Sequence, residues 1–203
     1  MANVALEGGL RLVDGVNGAG SGEEVVLISA SDSNVMGIGD PVNQAAAASS
    51  SIGQGPIVQQ VVQGTATGVV YGVVCCYLPH WTDGTATMNL SQVYRSASTA
   101  EYANIRVANN YDVYEITDDG VLPGLASGHL TYNYKFIASG ADTNNGMSKF
   151  QIDSNNGATT ATYPIKVIGP SMRPDVNSTL ANASWRVTLN NVTRSGGTGV
   201  AGV

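Results

Sequence analysis

Lysine and arginine are scarce in this chain: 9 among 203 residues, against 15 Asp and Glu, for a net charge of −6. The first lysine is Lys135. Holding a nucleic-acid backbone takes clustered cations, so the composition offers no electrostatic footprint for that class of partner. Charge of either sign is sparse, at 12% of residues where an ordinary domain carries roughly a quarter. The chain is nonetheless 43% hydrophobic, which sets it apart from charged disordered tails. A core is therefore expected, and a length of 203 residues suits one domain with an appendage.

Cysteine is limited to the adjacent pair Cys75-Cys76. Neighbouring cysteines meet the separation and torsion of a disulfide poorly, and in a strand they point to opposite faces. Two reduced thiols in or near a core are expected. A vicinal redox pair or soft-metal site is the alternative, and no other cysteine or histidine cluster accompanies it. Histidine occurs twice, at His80 and His129, in neither H-E-x-x-H nor H-x-H spacing. G-x-S-x-G, the nucleophile elbow, is absent, although a triad assembled by folding stays open. No apolar run approaches the roughly 20 residues of a membrane-spanning helix, and Met1 to Gly8 lacks the basic and apolar regions of a targeting segment. Synthesis in a cytosol is expected. On that basis the sequons at Asn89, Asn177, Asn182 and Asn191 are by-products of an Asn/Ser/Thr-rich composition.

What is present is period-2 alternation in short runs, separated by Gly, Asn, Asp and Ser. Strands are predicted at Glu24–Ile28, Ile57–Gln63, Thr67–Cys76, Tyr102–Ala108, Asp112–Ile116, Tyr132–Ala138, Lys149–Asp153, Thr160–Ile168 and Ser184–Leu189. Tyr102–Ala108 alternates cleanly, with Ala103, Ile105 and Val107 on one side and Asn104 and Arg106 on the other. It is predicted to form a hairpin with Asp112–Ile116. Asn155-Asn156-Gly157 has the composition of a tight turn with positive φ between two strands. The Ala- and Ser-rich segment Gln44–Ser51 supports at most one helical turn. The fold class that follows is all-β, an antiparallel β-sandwich or barrel, with a Gly-rich N-terminal arm and a Gly-rich C-terminal tail. The division expected is an arm over residues 1–38, a β domain over 39–195 and a flexible tail over 196–203.

The remaining motifs carry little chemistry. Gly197-Thr198-Gly199-Val200-Ala201-Gly202 spells G-x-G-x-x-G, but a dinucleotide site needs that turn to open a helix. Asp32-Ser33-Asn34 and Asp118-Asp119-Gly120 have the oxygen ligands of a Ca²⁺ loop, and Asp-Gly is first a turn signal. A pair of glycosidase carboxylates stays open, because sequence spacing does not reveal it. The 9 tyrosines suit half-buried positions, so core packing, a subunit interface and a sugar platform are the three readings. No catalytic, metal-binding or cofactor-binding residue is nominated. Trp81, Tyr94, Arg95 and Trp185 are the expected interface anchors, because aromatic and Arg side chains dominate interface energetics.

Several segments in succession resemble small structural proteins of tailed-bacteriophage heads. They are Gly39-Asp40-Pro41-Val42, Pro56-Ile57-Val58 and the Gly68–Val74 run, then Tyr94–Tyr102 leading into Val107–Ile116. Ala158–Thr162, Arg173-Pro174-Asp175, Ala181–Asn190 and the Gly-Thr-Gly-Val-Ala-Gly tail follow. The order is similar to that of head decoration, or cement, proteins, from about Gly39 to the end. The resemblance implies a non-enzymatic, β-rich virion protein without cofactors, made in the host cytoplasm and seated on the capsid exterior. It implies the major capsid protein and two further copies of the chain, in a homotrimer, as partners, with neither nucleic acid nor membrane among them. The alternative is a virion-surface carbohydrate-binding adhesion module, and a β-scaffold hydrolase is a third reading.

Overall fold

The structure is a computed structural model that describes residues 3, 8–15, 22–45, 56–61, 68–78, 93–121, 130–137 and 140–193. It is nearly all-β. In chain order the strands are β1 (Arg11–Asp14), β2 (Glu23–Ile28), β3 (Pro41–Gln44), β4 (Ile57–Gln60), β5 (Gly72–Tyr77) and β6 (Glu101–Val107). They continue with β7 (Val113–Thr117), β8 (Asn133–Tyr134), β9 (Phe136–Ile137), β10 (Gln151–Ile152), β11 (Ile165–Pro170) and β12 (Ser184–Leu189). Among the described residues no helix is long and apolar enough to cross a membrane.

Five strands close into a barrel in the order β2-β4-β3-β5-β6. Its pairs are antiparallel except β2 with β4. Closure leaves this sheet no free strand edge. The interior holds Val26, Ile28, Met36, Val42, Val58, Val74, Ala103 and Ile105. A second sheet, β1-β7-β12-β11-β8, is antiparallel throughout. Its inner face buries Tyr114, Ile116, Ile165, Val167, Trp185, Val187 and Leu189 together with Phe136 and Phe150, whose rings meet edge to face at 5.5 Å. The two cores meet on β5. Val74 points into the barrel while its neighbour Val73 joins the core of the sheet, as the period of a strand requires.

Three expectations differ from what is found. The runs at Tyr102–Ala108 and Asp112–Ile116 do not form a hairpin. β6 pairs with β2 and β5 in the barrel, whereas β7 pairs with β1 and β12 in the sheet. The chain crosses between them at Asn109, whose Oδ1 accepts from the backbone N–H of Tyr111 and of Asp112. The Arg106–Asp112 ion pair, 2.9 Å, clamps that crossing. Asn155-Asn156-Gly157 makes no positive-φ turn. Ser154–Asn156 is a 3₁₀ turn capped by Asp153, and Gly157 has φ −74°. The boundary expected at residue 38 passes through folded structure: β1 is a strand of the sheet and β2 a wall of the barrel. The Gln44–Ser51 helical turn lies largely, and the tail at 196–203 wholly, outside the described residues.

Candidate interaction surface

The residues nominated from sequence divide into interior and undescribed ones. Arg95 is fully buried beside the barrel. Its guanidinium donates to four carbonyl oxygens: Thr99 at 2.7 Å, and Asn34, Ser29 and Asp32 at 2.8 Å each. Burial pulls its pKa below the ordinary arginine value, against the nearby Asp32 carboxylate. Trp185 sits in the core of the sheet, where its indole N–H donates to Asp118 Oδ2 at 2.9 Å. Burial raises the Asp118 carboxyl pKa, and the indole hydrogen bond works the other way. Tyr94 is half-buried. Trp81, like His80 and His129, lies outside the described residues. Arg95 and Trp185 thus bind their own chain.

The two carboxylate loops are also engaged internally. Asp32 Oδ1 accepts from the backbone and side-chain N–H groups of Asn34, and Oδ2 accepts from Gln60 N at 2.6 Å. Asp118 Oδ1 accepts from Gly120 N at 3.0 Å, and Asp119 Oδ1 accepts from the Ser154 hydroxyl. Both act as turn acceptors. Among the described residues no group of three or more His, Cys, Asp and Glu side chains is placed to hold a metal ion. Asp40 is the most strongly perturbed acid. It is wholly buried, its Oδ2 accepts from Gly37 N at 2.9 Å and Gln60 Nε2 at 2.7 Å, and burial pushes its pKa up to about 7 despite those bonds.

Both cysteines are unbridged and half-buried. The β5–β6 register shifts between Val74 and Cys76, so Cys75 is the extra residue of a bulge. Its thiol pKa is raised by burial, which suppresses thiolate chemistry. Cys75 lines an open cavity of about 240 Å³ at the seam of barrel and sheet, with Leu10, Leu12, Val73, Tyr114 and Met147 among its walls.

The outward face of the sheet is different in kind. Alternation on β7 and β12 turns Tyr114, Ile116, Trp185 and Val187 inward, leaving Glu115 and Arg186 on the opposite side. The register aligns Arg11 with Glu115, Glu115 with Arg186, and Arg186 with Gly169 across four strands. Arg11 Nη2 meets Glu115 Oε2 at 2.9 Å, the Ser171 hydroxyl donates to Oε1 at 2.8 Å, and Arg173 Nη1 approaches Oε1 at 3.9 Å. Arg173 also pairs with Asp175 through Nε and Nη2. Arg186 Nε is buried without a hydrogen-bond partner. Exposed apolar side chains adjoin this cluster: Met172 is 81% exposed beside Arg173, and Ile168 41% exposed beside Gly169. On the edge strand β1, Leu12 and Val13 are exposed, but the register shifts there between Leu12 and Asp14. A bulge on an edge blunts strand addition.

Sequence reasoning did not assemble this cluster. Residues 11, 115, 173 and 186 converge only through strand order, and the one local signal is that Glu115 and Arg186 each occupy the polar phase of an alternating strand. No family model, curated protein or solved structure matches this chain.

Proposed function

We propose that this chain is a non-enzymatic virion structural protein of the head decoration type, which binds the outer surface of an assembled capsid as a trimer and stabilises the shell. The observation that carries the reading is the outward sheet face: arginines beside exposed Met172 and Ile168 on a rigid support, the residue chemistry of a protein interface. The ordered resemblance of sequence segments to decoration proteins supplies the partner. The interior adds support, since Arg95, Asp32, Asp118 and Trp185 are all engaged in holding the fold.

A protein that binds the assembled shell and not its dispersed subunits stabilises the shell by mass action. A trimer with closed symmetry matches a threefold or quasi-threefold position. The adhesion alternative needs aromatic rings exposed together on one face. Of the tyrosines only Tyr111, at 76% exposure, is strongly exposed, while Tyr77, Tyr114 and Tyr134 are buried. Quantitative mass spectrometry of purified particles tests the proposal. Copy numbers that are whole multiples of three and in fixed ratio to the capsid protein are expected, and a ratio unrelated to shell symmetry overturns it. Light scattering of the isolated protein checks the trimer separately.

A further inference from the structure

The charge of this molecule is segregated. Its eight described Lys and Arg side chains include two, Arg95 and Arg106, that are buried. Of the other six, Arg11, Arg173 and Arg186 gather around one carboxylate, Glu115, and Lys166 lies on the same outward face, since its neighbours Ile165 and Val167 point into the core. Two guanidiniums thus share Glu115, Arg186 lies in register beside it, and Asp175 is the other acid in the group. Arg186 is the least satisfied of them, with no ion pair and a buried Nε that lacks an acceptor. A face with surplus guanidinium donors, on a chain of net charge −6, asks for an acceptor from outside.

We infer that this face, around Arg11, Arg173 and Arg186, is a protein-docking surface for a partner segment carrying Asp or Glu side chains. Charge complementarity identifies the occupant. Guanidinium forks take carboxylates in two-point contacts. The interspersed Glu115 and Asp175 carboxylates would repel a continuous phosphate backbone, and the net negative charge of the chain would repel it at longer range. Carboxylates spaced along a protein segment fit between those acids, while Met172 and Ile168 provide apolar contact at the side. The inference rests on the proposed function for the identity of the partner: the acidic segment belongs to the shell protein, and this is the face turned toward it.

Two measurements test the inference separately from that reading. In the first, a hexaglutamate peptide is titrated into the ¹⁵N-labelled protein while the arginine Nε–H and the backbone amide resonances are followed. Shifts confined to Arg11, Arg173 and Arg186, and lost in 0.5 M salt, about a 4 Å Debye length, are expected. Equal shifts near Lys135 and Lys149, no shifts, or tighter binding of a single-stranded oligonucleotide at the same arginines would overturn the inference. In the second, wild type and the triple variant Arg11→Gln, Arg173→Gln, Arg186→Gln are bound to particles stripped of this protein. At least a tenfold loss of affinity is expected for the variant. Binding by wild type with no loss in the variant refutes the docking face and leaves the shell reading standing. Failure of wild type to bind refutes the shell reading, and the peptide titration then decides the face. Should the triple variant not fold, Arg11→Gln carries the particle experiment, because the Arg11 side chain is 55% exposed on an edge strand.

Discussion

Arg95 shows how a single side chain organises this molecule. Its guanidinium replaces water for carbonyls of the Ser29–Asn34 segment and of Thr99, drawing two distant stretches onto the barrel. Arg95→Ala should destabilise the fold by about 3–5 kcal/mol, because several buried carbonyls lose their donor at once. Calorimetric melting of the two proteins checks this, and a change under about 1 kcal/mol would mean that water substitutes for the guanidinium. Asp40 makes a prediction in pH. Its carboxyl has a pKa raised from 3.8 to about 7 in the folded chain, so folding favours the protonated form. The Asp40 contribution to stability is fully present below about pH 4 and is lost as pH rises through about 7. The gap between those values corresponds to on the order of 4 kcal/mol. Urea unfolding of wild type and Asp40→Asn across pH 4–8 should show a fall in wild-type stability that the variant lacks, and parallel curves would contradict it. The sequence marks Arg95 and Trp185 as special, through chemistry rather than place. An arginine in a charge-poor chain reads as surface, and its backbone acceptors leave no trace in residue identity.

At the scale of elements, strands were legible and their partners were not. Alternation located Glu24–Ile28, Tyr102–Ala108 and Ser184–Leu189 close to β2, β6 and β12, because one face of each is apolar. The same alternation put Arg106 on a polar face, yet Arg106 is buried, since the barrel exterior is covered by the sheet and Asp112 neutralises the charge there. Adjacency in sequence suggested the β6–β7 hairpin, whereas a five-residue link, 108–112, clamped by that ion pair turns the chain into a different sheet. Gly39 is a second joint between the layers. It has φ +93°, its N–H donates to Val74 O at 2.9 Å, and its carbonyl accepts from Leu10 N at 3.0 Å. A methyl group there would run into the Gly8 carbonyl oxygen. Gly39→Ala should therefore cost about 2 kcal/mol or more and release the segment before β1 from β5. Hydrogen exchange should show the Leu10 amide losing protection while amides of β6 keep it. Uniform loss would place Gly39 in the global core, and unchanged protection would show that the joint does not depend on glycine.

At the scale of the whole molecule, the scarcity of lysine and arginine acquires a location. Two arginines are sealed inside, and four of the other six described cations, Arg11, Lys166, Arg173 and Arg186, share one side of one sheet. Composition reported the scarcity, but only strand order shows the concentration, because Arg11, Glu115 and Arg186 come from three strands scattered across the chain. In the proposed arrangement this side contacts an assembled shell and the closed barrel is presented away from it. The most direct test is cryo-electron microscopy of particles that contain this protein. Trimers of the chain on the capsid exterior, at threefold or quasi-threefold positions and with the Arg11–Glu115–Arg186 face against acidic side chains of the shell, are the predicted result. Finding the chain elsewhere in the particle, or on the capsid with that face turned to solvent, would contradict it.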